Sequence, residues 1–92
     1  MTIPEQIMRA VAVLVRQQNK QVFTREEIRD QLGIDRDIWD ASYSPTFQGM
    51  RADQPGGDPN VGEIYKNVFR QVEYGRHTLT DDGKELLKKV KG

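Results

Sequence analysis

Apolar residues recur along the chain at two periods, and the change from one to the other divides it. Near the amino end, Ile7, Val11 and Leu14 follow the i, i+4, i+7 spacing of one helix face, with Ala10 beside them. Thr2 and Glu5 have the spacing of a capping box, and Pro4 suits the first turn, where its missing N–H costs nothing. The pattern predicts a helix from Pro4 to about Gln18. Met8, Ala12 and Val15 form a second stripe beside the first and widen its apolar arc. Gln21-Val22-Phe23 is long enough only for a short strand. Thr24-Arg25-Glu26-Glu27 repeats the capping-box spacing ahead of Ile28 and Leu32, and Gly33 is placed to end that second helix in the left-handed conformation. So short a helix cannot stand alone and must pack on the first.

Asp35 caps a stretch through Ile38 and Trp39, and Ser44-Pro45 reads as a fresh N-cap and N1 pair opening a helix over 45–52. Because proline disfavours the α conformation in the residue before it, a break at Ser44 is expected. Asp53 to Gly62, with three glycines and two prolines, is the one clear loop. The period then shortens. Ile64 to Glu73 is rich in β-branched and aromatic residues, Tyr74-Gly75 makes a turn, and Arg76 to Leu79 returns as a second strand. Thr80 caps a last helix with Asp81, Asp82 and Glu85 towards its positive end, Lys88, Lys89 and Lys91 at its negative end, and Leu86, Leu87 and Val90 as its apolar face.

The expected fold class is therefore α+β and mostly helical, in one domain over residues 1–92: helix, short strand, helix, helix, β-hairpin, helix. Two stretches, Phe23-Thr24-Arg25-Glu26-Glu27-Ile28 into Leu32-Gly33, and Phe69 through Leu79-Thr80-Asp81-Asp82-Gly83, give this order a resemblance to the winged helix-turn-helix superfamily. The ending, a strand followed by Leu-Thr-x-x-Gly and an amphipathic helix, looks like that of many bacterial winged-helix proteins. Asp35 to Met50 is longer than that family's usual turn and recognition helix. The resemblance implies that the helix near Ser44 enters the major groove and that the hairpin is the wing.

Composition narrows the function. The 92 residues hold fourteen Lys and Arg against fourteen Asp and Glu, one histidine and no cysteine. No disulfide framework, Cys-ligated zinc or thiol nucleophile is possible, and one histidine makes no His-rich metal site. The longest strongly apolar run, Ala10 to Val15, falls far short of the ~20 residues that span a bilayer, and Met-Thr-Ile-Pro-Glu-Gln is neither a basic leader nor a transit peptide. A soluble, cytoplasmic protein is expected, without membrane, metal or cofactor. Catalytic motifs are missing: no Gly-x-Ser-x-Gly turn surrounds a serine, Gly56-Gly57 lacks the Lys-Ser/Thr of a phosphate loop, and Trp39 interrupts what would be a calcium loop at Asp35, Asp37 and Asp40. An enzyme is not expected.

Zero net charge excludes a protein that coats nucleic acid by bulk charge. It conceals a segregation, however. Residues 1–60 carry seven basic and nine acidic side chains, whereas Ile64 to Thr78 carry three basic and one acidic. The leading expectation is a DNA-binding regulator or specificity module acting on double-stranded DNA. On a helical wheel Phe47 and Met50 face inward, leaving Thr46, Gln48 and Arg51 outward. Arginine can pair with guanine, glutamine with adenine, and threonine can reach a base or phosphate. Ser44 would position DNA, Arg70 and Arg76 would meet phosphate, and Tyr74 at the hairpin tip would stack or bond a phosphate. Gln48, Arg51 and Arg76 could equally be ordinary solvated residues, and Tyr74 a turn residue propped on its own hairpin. Met8, Ala12 and Val15, with Leu87, could form a homodimer interface; alternatively they cover the hairpin within one chain. His77 alternates with Leu79 and is expected at the core edge. Trp39 and Tyr43 either anchor their helix to the core or form an exposed hot spot. The alternative function is a winged-helix protein–protein interaction module that does not bind DNA.

Overall fold

The computed structural model describes residues 1–52 and 60–90. Helix α1 (Ile3–Arg16) begins at Thr2, whose hydroxyl accepts the Glu5 N–H. Strand β1 (Phe23–Thr24) runs directly into α2 (Arg25–Leu32), which carries the full capping box: Thr24 Oγ1 accepts from Glu27 N at 3.1 Å, and Glu27 Oε1 accepts from Thr24 N at 2.9 Å. Gly33, at φ +72°, ends α2 in the left-handed region, as its position suggested.

The next segment differs from expectation. α3 (Arg36–Ile38), capped by Asp35, passes through one wide π turn (Trp39–Tyr43) into α4 (Ser44–Gly49). Ser44 has φ −61° and ψ −45°, so no break precedes Pro45 and Ser44 is not an N-cap. The reason is local. Ser44 N donates to Trp39 O, one residue further back than in an α-helix, and Pro45, which has no N–H to give, follows this wide turn in the first turn of α4. Tyr43 and Trp39 stack with centroids 6.1 Å apart, and the Tyr43 hydroxyl donates to Gln6 Oε1 at 2.7 Å. The pair anchors the segment to α1.

Residues 53–59 of the expected loop lie outside the described residues, as does Lys91. After a single 3₁₀ turn (Glu63–Tyr65), β2 (Phe69–Glu73) and β3 (Arg76–Leu79) form the hairpin, so the first strand is shorter than the pattern from Ile64 suggested. The sheet is antiparallel in the order β1-β3-β2. Phe69 pairs with Leu79 and Gln71 with His77 on the inner face, while Arg70 pairs with Thr78 on the outer face. A bulge between Gln71 and Glu73 brings Glu73 opposite Arg76, and Gly75 at φ +76° closes the turn. Met50 O accepts from both Val68 N and Phe69 N, and Ala52 N donates to Phe69 O, so the end of α4 is tied to the start of β2.

Helix α5 (Asp81–Lys88) starts at Thr80, whose hydroxyl accepts from Gly83 N at 3.0 Å and donates to the carbonyls of Asn67 and Val68. Its far end is held by Arg16, whose guanidinium donates to the Leu87 and Val90 carbonyls.

The core is one cluster. Phe47 sits at its centre, 4.8 Å from the Phe69 ring, 5.0 Å from His77 and 6.2 Å from Trp39, with Phe23 edge-on to Phe69 at 5.7 Å. Met8 and Ala12 are 0% exposed within this cluster, Leu87 is buried and Val15 packs against it. The stripe considered for a homodimer is thus used inside the chain, because α1 is covered on both sides. No described helix is long and apolar enough to cross a membrane.

Candidate nucleic-acid interface

Two helices and the hairpin meet around Arg25. The first residue of α2, Arg25 lies half-buried with its guanidinium carbon 5.1 Å from the centre of the Phe47 ring. It donates to Ser44 Oγ at 3.1 Å and to Gln48 Oε1 at 2.6 Å. The same Gln48 oxygen accepts from Arg51 Nη1 at 3.3 Å, and Arg51 Nη2 donates to Gln71 Oε1 at 2.9 Å. Polar side chains from α2, α4 and β2 therefore form one network, and an open cleft of about 380 Å³ lies over it, reaching Tyr74 and Gly75 at the hairpin tip. Burial, and next the nearby Arg51 charge, hold the Arg25 pKa below its ordinary value, while Glu26 opposes them.

A smaller cleft of about 130 Å³ continues past Arg25 and Glu26 to Arg29, Arg36 and Asp40. Together the two make a groove along the joint between α2 and the α3–α4 segment. Among the described residues its lining holds four arginines, Arg25, Arg29, Arg36 and Arg51, against two carboxylates, Glu26 and Asp40. Arg36 Nε lies 3.8 Å from Asp40 and Arg29 lies 3.8 Å from Asp30, both long for ion pairs.

The structure brings some expected site residues together and separates others. Ser44, Gln48 and Arg51 share the network. Thr46 and Arg51, however, are not outward: they are 6% and 9% exposed. Thr46 donates back to Ser42 O at 3.4 Å, and Arg51 lies past the end of α4, bridged to Phe69, where a helical wheel no longer applies. Arg70 and Arg76 are exposed on the outer face of the sheet, away from Arg51, and Arg76 is paired with Glu73 at 3.0 Å. Tyr74 is 96% exposed at the tip. His77 is buried, as its alternation with Leu79 implied.

Sequence reasoning missed Arg25, Arg29 and Arg36. Arg25 was hidden inside a capping box, where its neighbours explain themselves. One signal was available: the residue after an N-cap starts a helix beside whatever the preceding strand packs against, and here that is the hairpin.

Comparison of the chain with protein-family models, curated proteins and solved structures gives no match.

Proposed function

We propose that the chain is a winged helix-turn-helix domain that binds double-stranded DNA, holding it mainly by its phosphates along the groove between α2 and the α3–α4 segment. One observation carries this reading: among the described residues, four arginines against two carboxylates line a groove in a chain whose net charge is zero. Phosphate contacts position a protein on DNA without reading its sequence. That fits a site in which Gln48 and Arg51 are bound to protein partners and Thr46 is buried. The order of elements, with the hairpin returning onto β1 beside α2, supports the winged-helix assignment.

The test is binding of a labelled duplex over a range of salt concentrations. The affinity is expected to fall steeply with salt. Arg29→Ala and Arg36→Ala should weaken it more than Arg70→Ala and Arg76→Ala on the outer face. The opposite ranking would move DNA to the outer face of the hairpin.

A second reading has its own observation. The exposed positions of the α3–α4 segment include the apolar Ile38, Ala41 and Pro45 beside the charged Arg36, Asp37 and Asp40, a set suited to the apolar centre and polar rim of a protein interface. If no duplex binds even at low salt, that interaction module is the better account.

A further inference from the structure

Gln48 Oε1 stands between two guanidiniums, 2.6 Å from Arg25 and 3.3 Å from Arg51. Both neighbours are donors, which fixes the amide with its oxygen towards them. A neutral oxygen thus occupies a position that two cations would hold more strongly if it carried charge. Arg51 has interactions beyond these amides, so the seat rests on Arg25 alone, which lies half-buried against the Phe47 ring. Among the described residues Arg25 makes hydrogen bonds only to neutral oxygens, and no carboxylate lies within ion-pair distance of it. The cleft opens directly above, with Glu26 on its rim as the only lining carboxylate among the described residues.

We propose that this cleft takes a single oxyanion, a phosphodiester of the bound duplex, on Arg25, and that the Gln48 amide oxygen occupies the place of an anionic oxygen in the free protein. This rests on the DNA reading above and adds to it one phosphate seat at a defined position, beside the hairpin tip. Arg25 supplies a planar fork already oriented by Ser44 and by the Phe47 ring, so little freedom is lost on binding. Glu26 opposes the anion and sets a limit on its affinity. A free phosphate has the same chemistry and could use the same seat.

Three variants of the full chain test the assignment. Arg25→Gln should weaken duplex binding about tenfold at low salt and reduce the slope of log affinity against log salt by about 1. Glu26→Gln should strengthen binding. Gln48→Glu places an internal carboxylate between the guanidiniums; it should raise the unfolding midpoint and weaken DNA binding. Titration of the wild type with inorganic phosphate, followed by arginine Nε–H NMR signals, provides a readout that needs no DNA. A saturable shift of the Arg25 signal, absent in Gln48→Glu, is expected.

The outcomes separate the two ideas. If the duplex binds but all three variants keep the wild-type slope and affinity, the seat is wrong and the DNA reading survives. A phosphate shift at Arg25 without duplex binding would uphold the anion cleft, assign it to a free phosphorylated ligand, and remove the DNA reading. Absence of both responses overturns both. Should Arg25→Gln fail to fold, the opposite signs expected for Glu26→Gln and Gln48→Glu still decide the matter.

Discussion

Gly83 and Val68 approach so closely that no side chain fits between them: a Cβ at position 83 would stand 2.2 Å from the Val68 carbonyl oxygen. That carbonyl also accepts from Thr80, so the Leu79-Thr80-Asp81-Asp82-Gly83 sequence is a docking device. The threonine starts the helix and ties it to the strand, and the glycine lets the helix approach. In an open helix Gly→Ala stabilises by up to ~1 kcal/mol. Here the sign reverses, since backbone must move. Gly83→Ala is expected to destabilise by about 2–3 kcal/mol, seen as a lower urea midpoint at unchanged slope.

Thr80→Ala should cost more than a cap alone. Losing a capping hydroxyl costs ~1 kcal/mol, but Thr80 also bonds the Asn67 and Val68 carbonyls. About 2 kcal/mol is expected. Thr2→Ala, at an exposed helix start with a 3.4 Å capping bond, should cost well under 1 kcal/mol in the same urea experiment.

Phe47→Ala removes the ring that touches Trp39, Phe69, His77 and Arg25 together. The expected loss of about 3–5 kcal/mol is a large share of the total stability of a domain this size. Phe47→Leu should retain a cooperative thermal transition at a lower midpoint, because volume is better conserved.

Arg51→Ala and Arg70→Ala should separate in stability before any ligand is added. Arg51 is buried and bonded to two glutamines, so its removal is expected to cost about 2–4 kcal/mol. Arg70 is exposed, and its replacement should stay within ~0.5 kcal/mol. Chemical denaturation of both variants decides this. A binding defect in Arg51→Ala must therefore be compared with its folded fraction.

Acid should expose the contribution of Glu27. Its carboxyl is held below its ordinary pKa chiefly by the hydrogen bond from Lys20, with the Thr24 N–H adding to it and burial opposing both. A carboxyl with a depressed folded-state pKa contributes stability that is present above its unfolded value and is lost as pH falls through the folded value. Wild type should therefore lose stability through the carboxylate range and just below it. Glu27→Gln should show a shallower decline there and a smaller difference from wild type at the acid end.

Most of the elements were legible because their signals are local. Thr24 with Glu27, Gly33, and Thr80 with Gly83 mark helix ends through bonds made within four residues, and those ends fall where the spacing put them. The site was less legible because its geometry is not local. Arg25 meets Gln48 across 23 residues, and Arg51 meets Gln71 across 20. Extending a helical wheel to Arg51 crossed the end of α4, and so turned a buried, bonded arginine outward. Of the two uses open to the Met8 and Ala12 stripe, burial within the chain is the one observed: a wide apolar arc on α1 is what a helix covered on two sides requires. The break expected at Pro45 failed for a different reason, since a proline rule written for α-helices does not anticipate a π turn.

That π turn sets the phase of the groove. Trp39, Tyr43 and Phe47 recur every four residues, a spacing that in a regular α-helix drifts by about 40° at each step. The wide turn takes up the drift and keeps all three rings on the core side. Arg36 and Asp40 at one end of the groove are thereby indexed against Gln48 at the other by a count of residues. Deleting Ala41 or Ser42 would rotate one end relative to the other without removing any lining side chain. The charge pattern offered to a ligand is therefore adjustable by the length of this segment as well as by its composition.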